Sequence, residues 1–405
     1  MILKKTAIMV AMLLLTFLGL SNSIGADNQI LNVKDFGAAG DGVTDDTSAI
    51  KKALYKGKNK KIFFPEGTYS VSDTLTIKGN TDVYGSKAII KANKEGYTLL
   101  RAYGENITIR DLAFDGSGFV LRGLTVMNGS KNVSIHSAEF KHFGQPSSKP
   151  YSHSTPIGIR IEGGVENVMM DELIIEDVFA KNISSHVGWN HKVARGILIS
   201  PALETQAGSK NITIQNSSIL KIGPKDDGDG IVVQGFKENV DVNILGNTFE
   251  KNHKRAIKIQ SPGAVIKDNR IHNSFMSDNF YDTYKEDKTY DMWSAISVYA
   301  NHVTVEKNTI TGPGSYSAAI DIAGGNHVAV KNNSIANGSV SQSSDLIRIN
   351  KGVDGKSQFR DITISNNSLE NGRYGVNMVA NVSGLNLSNN SFSNLKSRTS
   401  ANLNE

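Results

Sequence analysis

The sequence predicts an all-β fold, a single-domain right-handed parallel β-helix with an N-terminal capping helix. A Gly-Ile-x-Ile-like tetrapeptide recurs nine times between residues 123 and 378, at intervals from 24 (319 minus 295) to 39 (295 minus 256) residues. Two further series of short alternating apolar segments follow most copies. Three period-2 strands per repeat cannot bury their inward faces alone, so successive repeats must stack. The nine copies begin at Gly123, Gly158, Gly196, Gly230, Ala256, Ala295, Ala319, Leu346 and Gly375.

Asparagine recurs at equivalent places in the repeats. Asn132, Asn211 and Asn239 open second-series segments, and Asn247 and Asn308 belong to the third series. Stacked asparagines at a tight bend can hydrogen-bond from one coil to the next. We therefore expect an asparagine ladder, and we interpret the N-x-Ser sequence at Asn132 and the N-x-Thr sequence at Asn211 as part of the coil rather than as glycosylation sites.

The N-terminus has the pattern of an export signal. Lys4 and Lys5 precede an apolar run from Ala7 to Leu20, and small residues follow at Gly25 and Ala26. This pattern predicts a secretory signal peptide over residues 1–26 and a secreted protein with no stable membrane association after cleavage, with an uncleaved anchor as the alternative. Residues 27–95 are then predicted to form the cap and first coils, 96–395 the β-helix, and 396–405 a polar C-terminal tail.

Composition narrows the functional classes. The 405 residues include no cysteine, which excludes disulfides and thiol chemistry. The formal net charge is +5, or +3 without the two lysines of the signal (42 basic minus 39 acidic residues). This charge is too small to indicate a nucleic acid partner and is compatible with an acidic glycan. The sequence does not indicate an oligomeric state.

The segment after the signal carries the clearest resemblance to a known family. Residues 32 to 54 read NVKDFGAAGDGVTDDTSAIKKAL, and residues 61 to 69 read KIFFPEGTY. This segment closely resembles the N-terminal signature of the pectate-lyase-like superfamily of β-helix proteins. That superfamily includes polygalacturonase-like hydrolases, phage tailspike depolymerases and the catalytic modules of mannuronan epimerases. Asp45 or Asp46 can cap a helix whose apolar face would plug the solenoid, so we assign these acids structural roles.

Long insertions predict the side on which a substrate binds. Residues 141–157, 176–195 and 272–294 are predicted to project from one corner of the coil and to border a cleft beside the Gly-Ile-x-Ile sheet. Aromatic faces stack on sugar rings while their polar edges stay hydrated, so aromatic and histidine side chains in or near these loops are candidates for substrate binding. The candidates are Tyr151, His153, Trp189, His191, His253, Tyr281, Tyr284, Tyr290 and Trp293.

Charged residues are aligned with the repeats. Arg195, Asp229 and Arg255 directly precede the third, fourth and fifth copies, so stacking predicts one column with a spacing of roughly 4.8 Å per coil. Asp226 and Asp227 lie nearby in sequence, as do Lys254 and Lys258. The candidate catalytic residues are Arg195, Asp227, Asp229, Lys254, Arg255 and Lys258.

Two reactions and one structural role fit this column. In uronate β-elimination, a base removes the proton α to the carboxylate while cations or a metal neutralise that carboxylate. The possible metal is Ca²⁺ on Asp226, Asp227 and Asp229. In glycoside hydrolysis, two of these carboxylates would act as acid and base. The structural alternative is a salt-bridge ladder that stabilises an exposed sheet face.

Motifs of the related enzymes leave the reaction open. Asp226-Asp227 resembles the acidic pair of polygalacturonase-like hydrolases, but their Gly-His-Gly is absent. Asp229-Gly230 and Arg255 match the epimerases in position, but the Asp-Pro-His-Glu of those enzymes is absent from residues 196–201. We predict a secreted protein that binds and cleaves an acidic, uronate-containing polysaccharide by pectate-lyase-like β-elimination. The alternatives are a polygalacturonase-like hydrolase, a uronate epimerase and a non-catalytic glycan-binding or adhesion solenoid.

Overall fold

The computed structural model describes residues 29–148, 151–181, 193–223, 227–272, 294–312, 318–336, 344–351 and 358–400. Short strands in these residues form three parallel ladders, and each strand pairs with its equivalents in the preceding and following coils. The fold is therefore the predicted parallel β-helix, and the described ranges contain one α-helix, Thr47–Lys56. Among the helices of these residues, none is both long and apolar enough to cross a membrane.

The Gly-Ile-x-Ile strands form the first ladder, called sheet 1. All nine tetrapeptides lie in register, because their second residues pair in one unbroken series from Leu124 to Val376. Two earlier coils extend the series through Leu75 and Leu100. The ladder therefore continues across the point between residues 95 and 96, where the sequence predicted a division between the first coils and the rest of the β-helix. The strands of sheet 1 are Leu75–Lys78, Gly96–Tyr103, Val120–Val126, Ile157–Ile161, Val193–Ile199, Asp227–Val233, Arg255–Ile259, Ile296–Val298, Ala318–Ile322, Asp345–Ile349 and the end of Ser368–Met378.

Two further ladders complete each coil. Long strands such as Thr81–Ala92 and Glu105–Asp115 bend around a corner and contribute to both ladders. Sheet 2 also contains Lys60–Phe64, Lys131–His136, Glu166–Asp171, Lys210–Gln215, Val242–Leu245, Ala264–Lys267, Val303–Glu306, Val328–Lys331, Ile362–Ser365 and Asn386–Ser388. Sheet 3 also contains Gly67–Val71, Glu139–Gly144, Ile174–Phe179, Ser218–Gly223, Thr248–Asn252, Arg270–His272, Thr309–Thr311, Ser334–Ala336, the start of Ser368–Met378 and Ser391–Thr399. Ile30–Asn32 and Asp41–Asp45 pair onto the first coil, and Gln358–Arg360 pairs with Asn381–Ser383.

The corners explain why asparagine recurs. A residue at the start of a sheet 2 strand, or just before it, commonly has a left-handed backbone, for example Asn132 at φ +54° and Asn211 at φ +56°, and asparagine tolerates this conformation better than most residues. The side chains of Asn80, Asn106, Asn132, Asn167 and Asn211 hydrogen-bond from coil to coil. The predicted role of Asn132 and Asn211 in the coil is confirmed.

A second asparagine ladder is buried at the sheet 3 corner. Asn269 Nδ2 donates to Asn308 Oδ1 at 2.9 Å, and Asn308 Nδ2 donates to Asn333 Oδ1 at 2.9 Å. The same amides also donate to carbonyls of the neighbouring coil, which satisfies backbone groups that the bend frees. The ladder comprises Asn247, Asn269, Asn308, Asn333, Asn367 and Asn390.

The capping helix closes the N-terminal end with its apolar face. Ile50, Ala53 and Leu54 are buried and belong to the solenoid core. Asp45 accepts the Thr47 N–H at 3.0 Å at the start of the helix, whereas Asp46 instead accepts N–H groups of the loop at residues 39 and 40. Both carboxylates therefore serve the cap, as the sequence indicated.

Some strand boundaries differ from the sequence predictions. The strand predicted at Asn239 begins at Val242, because Asp241, at φ +52°, takes the corner position that asparagine fills elsewhere. The first predicted insertion, 141–157, overlaps strands at both ends, since Glu139–Gly144 continues through a bend at His142 (φ +56°) and the next strand starts at Ile157. A bend within a strand interrupts the apolar alternation, so the strand was predicted to end too early.

Candidate functional site

The predicted charged column exists on sheet 1. Arg195 pairs in register with Asp229, and Asp229 pairs with Arg255 on the next strand. The Gly-Ile-x-Ile spacing fixes this register, because Ile197, Ile231 and Ile257 occupy one inward-facing core column. Gly230 keeps the coils close, since a Cβ there would lie 2.6 Å from the Ala256 carbonyl oxygen.

Two carboxylates bind the cations of this column. Asp229, which is fully buried, lies between the two arginines, 3.2 Å from Arg195 Nη1 and 3.3 Å from Arg255 Nη1. Asp227 contacts the Arg195 guanidinium, Arg255 Nη1 at 2.9 Å and Lys254 Nζ at 3.2 Å. The group of Arg195, Asp227, Asp229, Lys254, Arg255 and Lys258 is called the cleft cluster.

The cleft cluster contains more cations than carboxylates, four against two, and this imbalance affects its carboxylates. Burial alone would raise the pKa of Asp227, but the surrounding cations outweigh burial, Arg195 and Lys254 foremost. The pKa of Asp227 therefore lies well below its usual range, and its carboxylate stays ionised.

The pKa values of both lysines of the cleft cluster are lowered as well. Burial lowers the pKa of Lys258; Asp229 and Asp227 oppose this shift, and Arg255 adds to it. Burial likewise lowers the pKa of Lys254, although Asp227 lies 3.2 Å away. A lysine with a lowered pKa can lose its proton near neutral pH and act as a base.

A cleft of about 540 Å³ opens beside this cluster. Its polar walls include Arg195, Asp227 and Lys258, while Ile157 and Leu198 form an apolar surface. Ser154 and Thr155, from the first predicted insertion, border the cleft, as does Gln234 after the fourth repeat. A charged edge beside an apolar surface suits a sugar ring that carries a carboxylate.

The predicted substrate-binding residues in the described loops lie at different depths. Tyr151 is exposed, and its ring centroid lies 4.6 Å from that of Tyr97 on sheet 1. His153 is half-buried, with Nδ1 3.0 Å from Ser152 Oγ. His253 is 1% exposed, so it lies below the surface and not on the wall of the cleft.

Several predictions fall outside the described residues. They are the signal peptide 1–26 and the candidates Trp189, His191, Asp226, Tyr281, Tyr284, Tyr290 and Trp293. Asp227 and Asp229 are engaged by cations, and no group of three or more histidine, aspartate or glutamate side chains in the described ranges is arranged to hold a metal. A Ca²⁺ site that includes Asp226 stays a prediction.

Two arginines of the cleft were missed in the sequence. Arg122 and Arg160 both line it. Arg122 directly precedes Gly123, as Arg195 precedes Gly196, and Arg160 occupies the variable position of its tetrapeptide, as Lys258 does in a later copy. Applying the same positional rule to the first two repeats would have identified both.

Family comparisons agree with this architecture. Residues 30–275 match the family described as rhamnogalacturonase A/epimerase, pectate lyase-like, and residues 202–398 match the right-handed β-helix region. The solenoid is therefore right-handed, as predicted.

Curated relatives from Azotobacter vinelandii match shorter segments. Mannuronan C5-epimerase AlgE2 is 27% identical over 268 residues, which cover 56% of this chain and 25% of that protein. Alginate lyase 7 is 30% identical over 192 residues, which cover 39% of this chain and 22% of that protein. The match thus spans a quarter or less of the length of either relative.

Solved structures share the fold. The surface adhesin PfbA of Streptococcus pneumoniae superposes with a TM-score of 0.70 at 20% identity, covering 93% of this chain and 94% of the adhesin. The A-module of mannuronan C-5 epimerase AlgE4 from Azotobacter vinelandii gives a TM-score of 0.54 at 16% identity, covering 92% of this chain and 97% of the module. At these identities the likeness concerns the fold alone.

Proposed function

The chain belongs to the rhamnogalacturonase A/epimerase, pectate-lyase-like family, and we propose that it is a secreted enzyme that cleaves a uronate-containing polysaccharide by β-elimination in the sheet 1 cleft. The observation that carries the proposal is the cation excess of the cleft cluster, in which the half-buried Lys258 has a lowered pKa and faces the cleft. Relatives named as a mannuronan epimerase and an alginate lyase support a uronate substrate.

The proposed reaction begins with removal of the proton at C5 of the uronate. Neutral Lys258 accepts this proton, and the electron pair moves into the carboxylate to form an enediolate. Arg195 lines the same cleft, and its positive charge would stabilise the added negative charge. The electron pair then returns, the bond from C4 to the glycosidic oxygen breaks, and the departing oxygen takes up a proton from water, while the Lys258 ammonium releases its proton to solvent.

Lys258 suits the role of base better than Lys254. Both lysines have lowered pKa values. Lys254 pairs with Asp227 at 3.2 Å and does not line the cleft, whereas Lys258 lines it. Lys254 is therefore assigned to holding Asp227 in place.

The charges favour elimination over hydrolysis. A glycosidase needs one carboxylic acid that keeps its proton beside a second carboxylate. Asp227 is the one carboxylate on the cleft wall within the described ranges, and its pKa is held low, so it is a poor proton donor. Epimerisation shares the first step and differs only in that C5 regains a proton from the opposite face.

The test is incubation of the mature protein with polygalacturonate, polymannuronate and polyguluronate, with Ca²⁺ and with a chelator. Elimination yields unsaturated products that absorb in the ultraviolet, and this is the expected result. Saturated reducing ends without absorbance would replace the proposal with hydrolysis, and a changed sugar composition in an uncut polymer, detected by proton NMR, would replace it with epimerisation.

A second candidate function is a non-catalytic glycan-binding solenoid. It is favoured by the close pairing of Asp227 and Asp229 with neighbouring cations, which is also how a sheet face is stabilised. Retention of a polyuronate on the immobilised protein, with none of the three products after prolonged incubation, would favour this candidate.

A further inference from the structure

Arg122, which is half-buried, and Arg160, which is buried, form a pair of cations with unused hydrogen-bonding capacity. The Arg122 guanidinium lies 4.3 Å from the ring centroid of Tyr97, and Arg160 Nη2 donates to the Pro201 carbonyl at 3.2 Å. The Nε atoms of both arginines are buried and donate to no acceptor. Neither arginine has an ion pair within 4 Å in the described part of the chain, in contrast to Arg195 and Arg255.

The surroundings leave this positive charge uncompensated. Burial lowers the pKa of Arg122 to about 10, and it lowers the pKa of Arg160 as well. Glu162 is the carboxylate that acts on both, but it accepts the Asn128 N–H at 3.1 Å and reaches neither guanidinium. Two cations largely removed from water and close enough to repel each other are costly unless an anion joins them.

Both arginines open into the cleft that contains Lys258. Arg122 occupies the same column as Arg195, two coils away through Ile157, a separation of roughly 10 Å at the usual strand spacing. The apolar side chains of Ile157 and Leu198 also line this cleft. Tyr97 packs against Arg122 at the N-terminal end, and Tyr151 packs against Tyr97 with its ring tilted.

We propose that Arg122 and Arg160 bind the carboxylate of a second uronate in the same polysaccharide chain, about two coils from the cleft cluster. This anion subsite rests on the proposed function, because it assumes an acidic polymer that lies along the solenoid axis. It requires a carboxylate at a fixed distance from the reacting sugar. The protein therefore selects chains with acidic residues at both positions and binds short fragments weakly.

Binding of uronate oligosaccharides tests the subsite, with Lys258→Met as the background so that the ligand is not consumed. Arg122→Gln and Arg160→Gln are each expected to weaken hexasaccharide binding about tenfold or more, because a charge-assisted hydrogen bond is lost. Disaccharide binding stays unchanged, since a disaccharide reaches only one of the two positions. Calorimetry measures the affinities, and the melting temperature shows that each variant is folded.

Three controls isolate the charge of the subsite. Arg160→Lys keeps the charge and retains most of the affinity. Lys267→Gln removes one positive charge from sheet 2 and leaves binding unchanged. A hexasaccharide with its carboxylates reduced to alcohols binds the Arg160→Gln protein and its parent equally.

The outcomes separate the subsite from the proposed function. If the parent protein binds the acidic hexasaccharide and both glutamine variants bind it equally well, the subsite is wrong while the proposed function stands. If neither the Lys258→Met parent protein nor the wild-type protein binds any acidic oligosaccharide, both the subsite and the proposed function are wrong.

Discussion

Two groups of ion pairs on sheet 1 show how one repeat serves two purposes. In the C-terminal coils, Asp321 binds Arg348 through two hydrogen bonds of 3.1 and 3.0 Å, and Asp345 binds Arg373 through two of 2.8 and 2.9 Å. Each of these carboxylates has its own arginine. In the cleft cluster, two carboxylates are shared among four cations.

The difference between the two groups lies in charge balance rather than in backbone. Lys258, Asp321 and Arg348 occupy the same outward column, so the coil presents all three in the same way. A balanced pair keeps both partners charged and stabilises the sheet. In the cleft cluster, burial lowers the pKa of the half-buried Lys258, and the neighbouring arginines lower it further because each cation disfavours the protonated form. The cleft cluster can therefore take part in chemistry, and the C-terminal pairs stabilise the coil.

Removal of the proposed base is expected to have the largest effect. Lys258→Met should lower turnover by roughly 10²- to 10⁴-fold, the usual contribution of general base catalysis. Folding should change little, since the Lys258 amino group makes no ion pair within 4 Å in the described ranges. Turnover is followed by ultraviolet absorbance, and retention of wild-type turnover would exclude Lys258 as the base.

The pH profile of turnover tests whether the cation-rich cleft cluster supplies a base. Because the neutral form of Lys258 is the base, kcat/KM should rise about tenfold per pH unit and level off above its pKa in the folded enzyme. That pKa lies below the 10.5 of an ordinary lysine. A rate that falls with rising pH would instead indicate an essential acid, as hydrolysis requires.

Loss of the shared buried carboxylate should destabilise the protein most. Asp229→Ala leaves Arg195 and Arg255 buried beside each other, and the free energy of unfolding should fall by about 3–5 kcal/mol. Asp345→Ala should cost less, about 1–3 kcal/mol, because its partner Arg373 is 43% exposed and can be hydrated. Urea denaturation measures both, and equal losses would contradict the proposed difference between the two groups.

Acid should remove the contribution of Asp227. Its pKa is depressed in the folded protein, so its stabilisation is complete above the ordinary value of 3.8 and is lost as pH falls toward the folded value. Asp227→Asn should therefore be about 1.5–3 kcal/mol less stable at neutral pH, with a gap that narrows below pH 3.8. A gap that is constant across this pH range would show that the carboxylate charge is not the source of the stabilisation.

The smallest effect is expected in the C-terminal pairs. Arg348→Gln should lower the free energy of unfolding by about 1 kcal/mol and leave turnover unchanged, because its charge is balanced locally by Asp321. This variant is also the matched control for Lys258→Met, since it removes a cation from the same column three coils away. A large loss of turnover would extend the functional cleft to the C-terminal coils.

The sequence predicted the coil well because the repeat is local and periodic. Nine tetrapeptides fixed the register of sheet 1, and with it the alignment of Arg195, Asp229 and Arg255. Strand ends were predicted less well, because left-handed residues such as His142 bend a strand without ending it. The last strand, Ser391–Thr399, likewise extends into the tail predicted from residue 396.

The sequence by itself therefore determined the architecture and which charges share a column, since strand alternation and stacking follow from the apolar period. Only the tertiary structure decided how deeply each charged side chain is buried, how the charges balance and which residues contact each other. It buried Asp229 and His253, gave Asp227 three cationic partners, and left Arg122 and Arg160 facing the cleft without a carboxylate within ion-pair distance among the described residues. Burial and the distances between charges set these properties, and both depend on side chains from several coils and loops that no local pattern specifies.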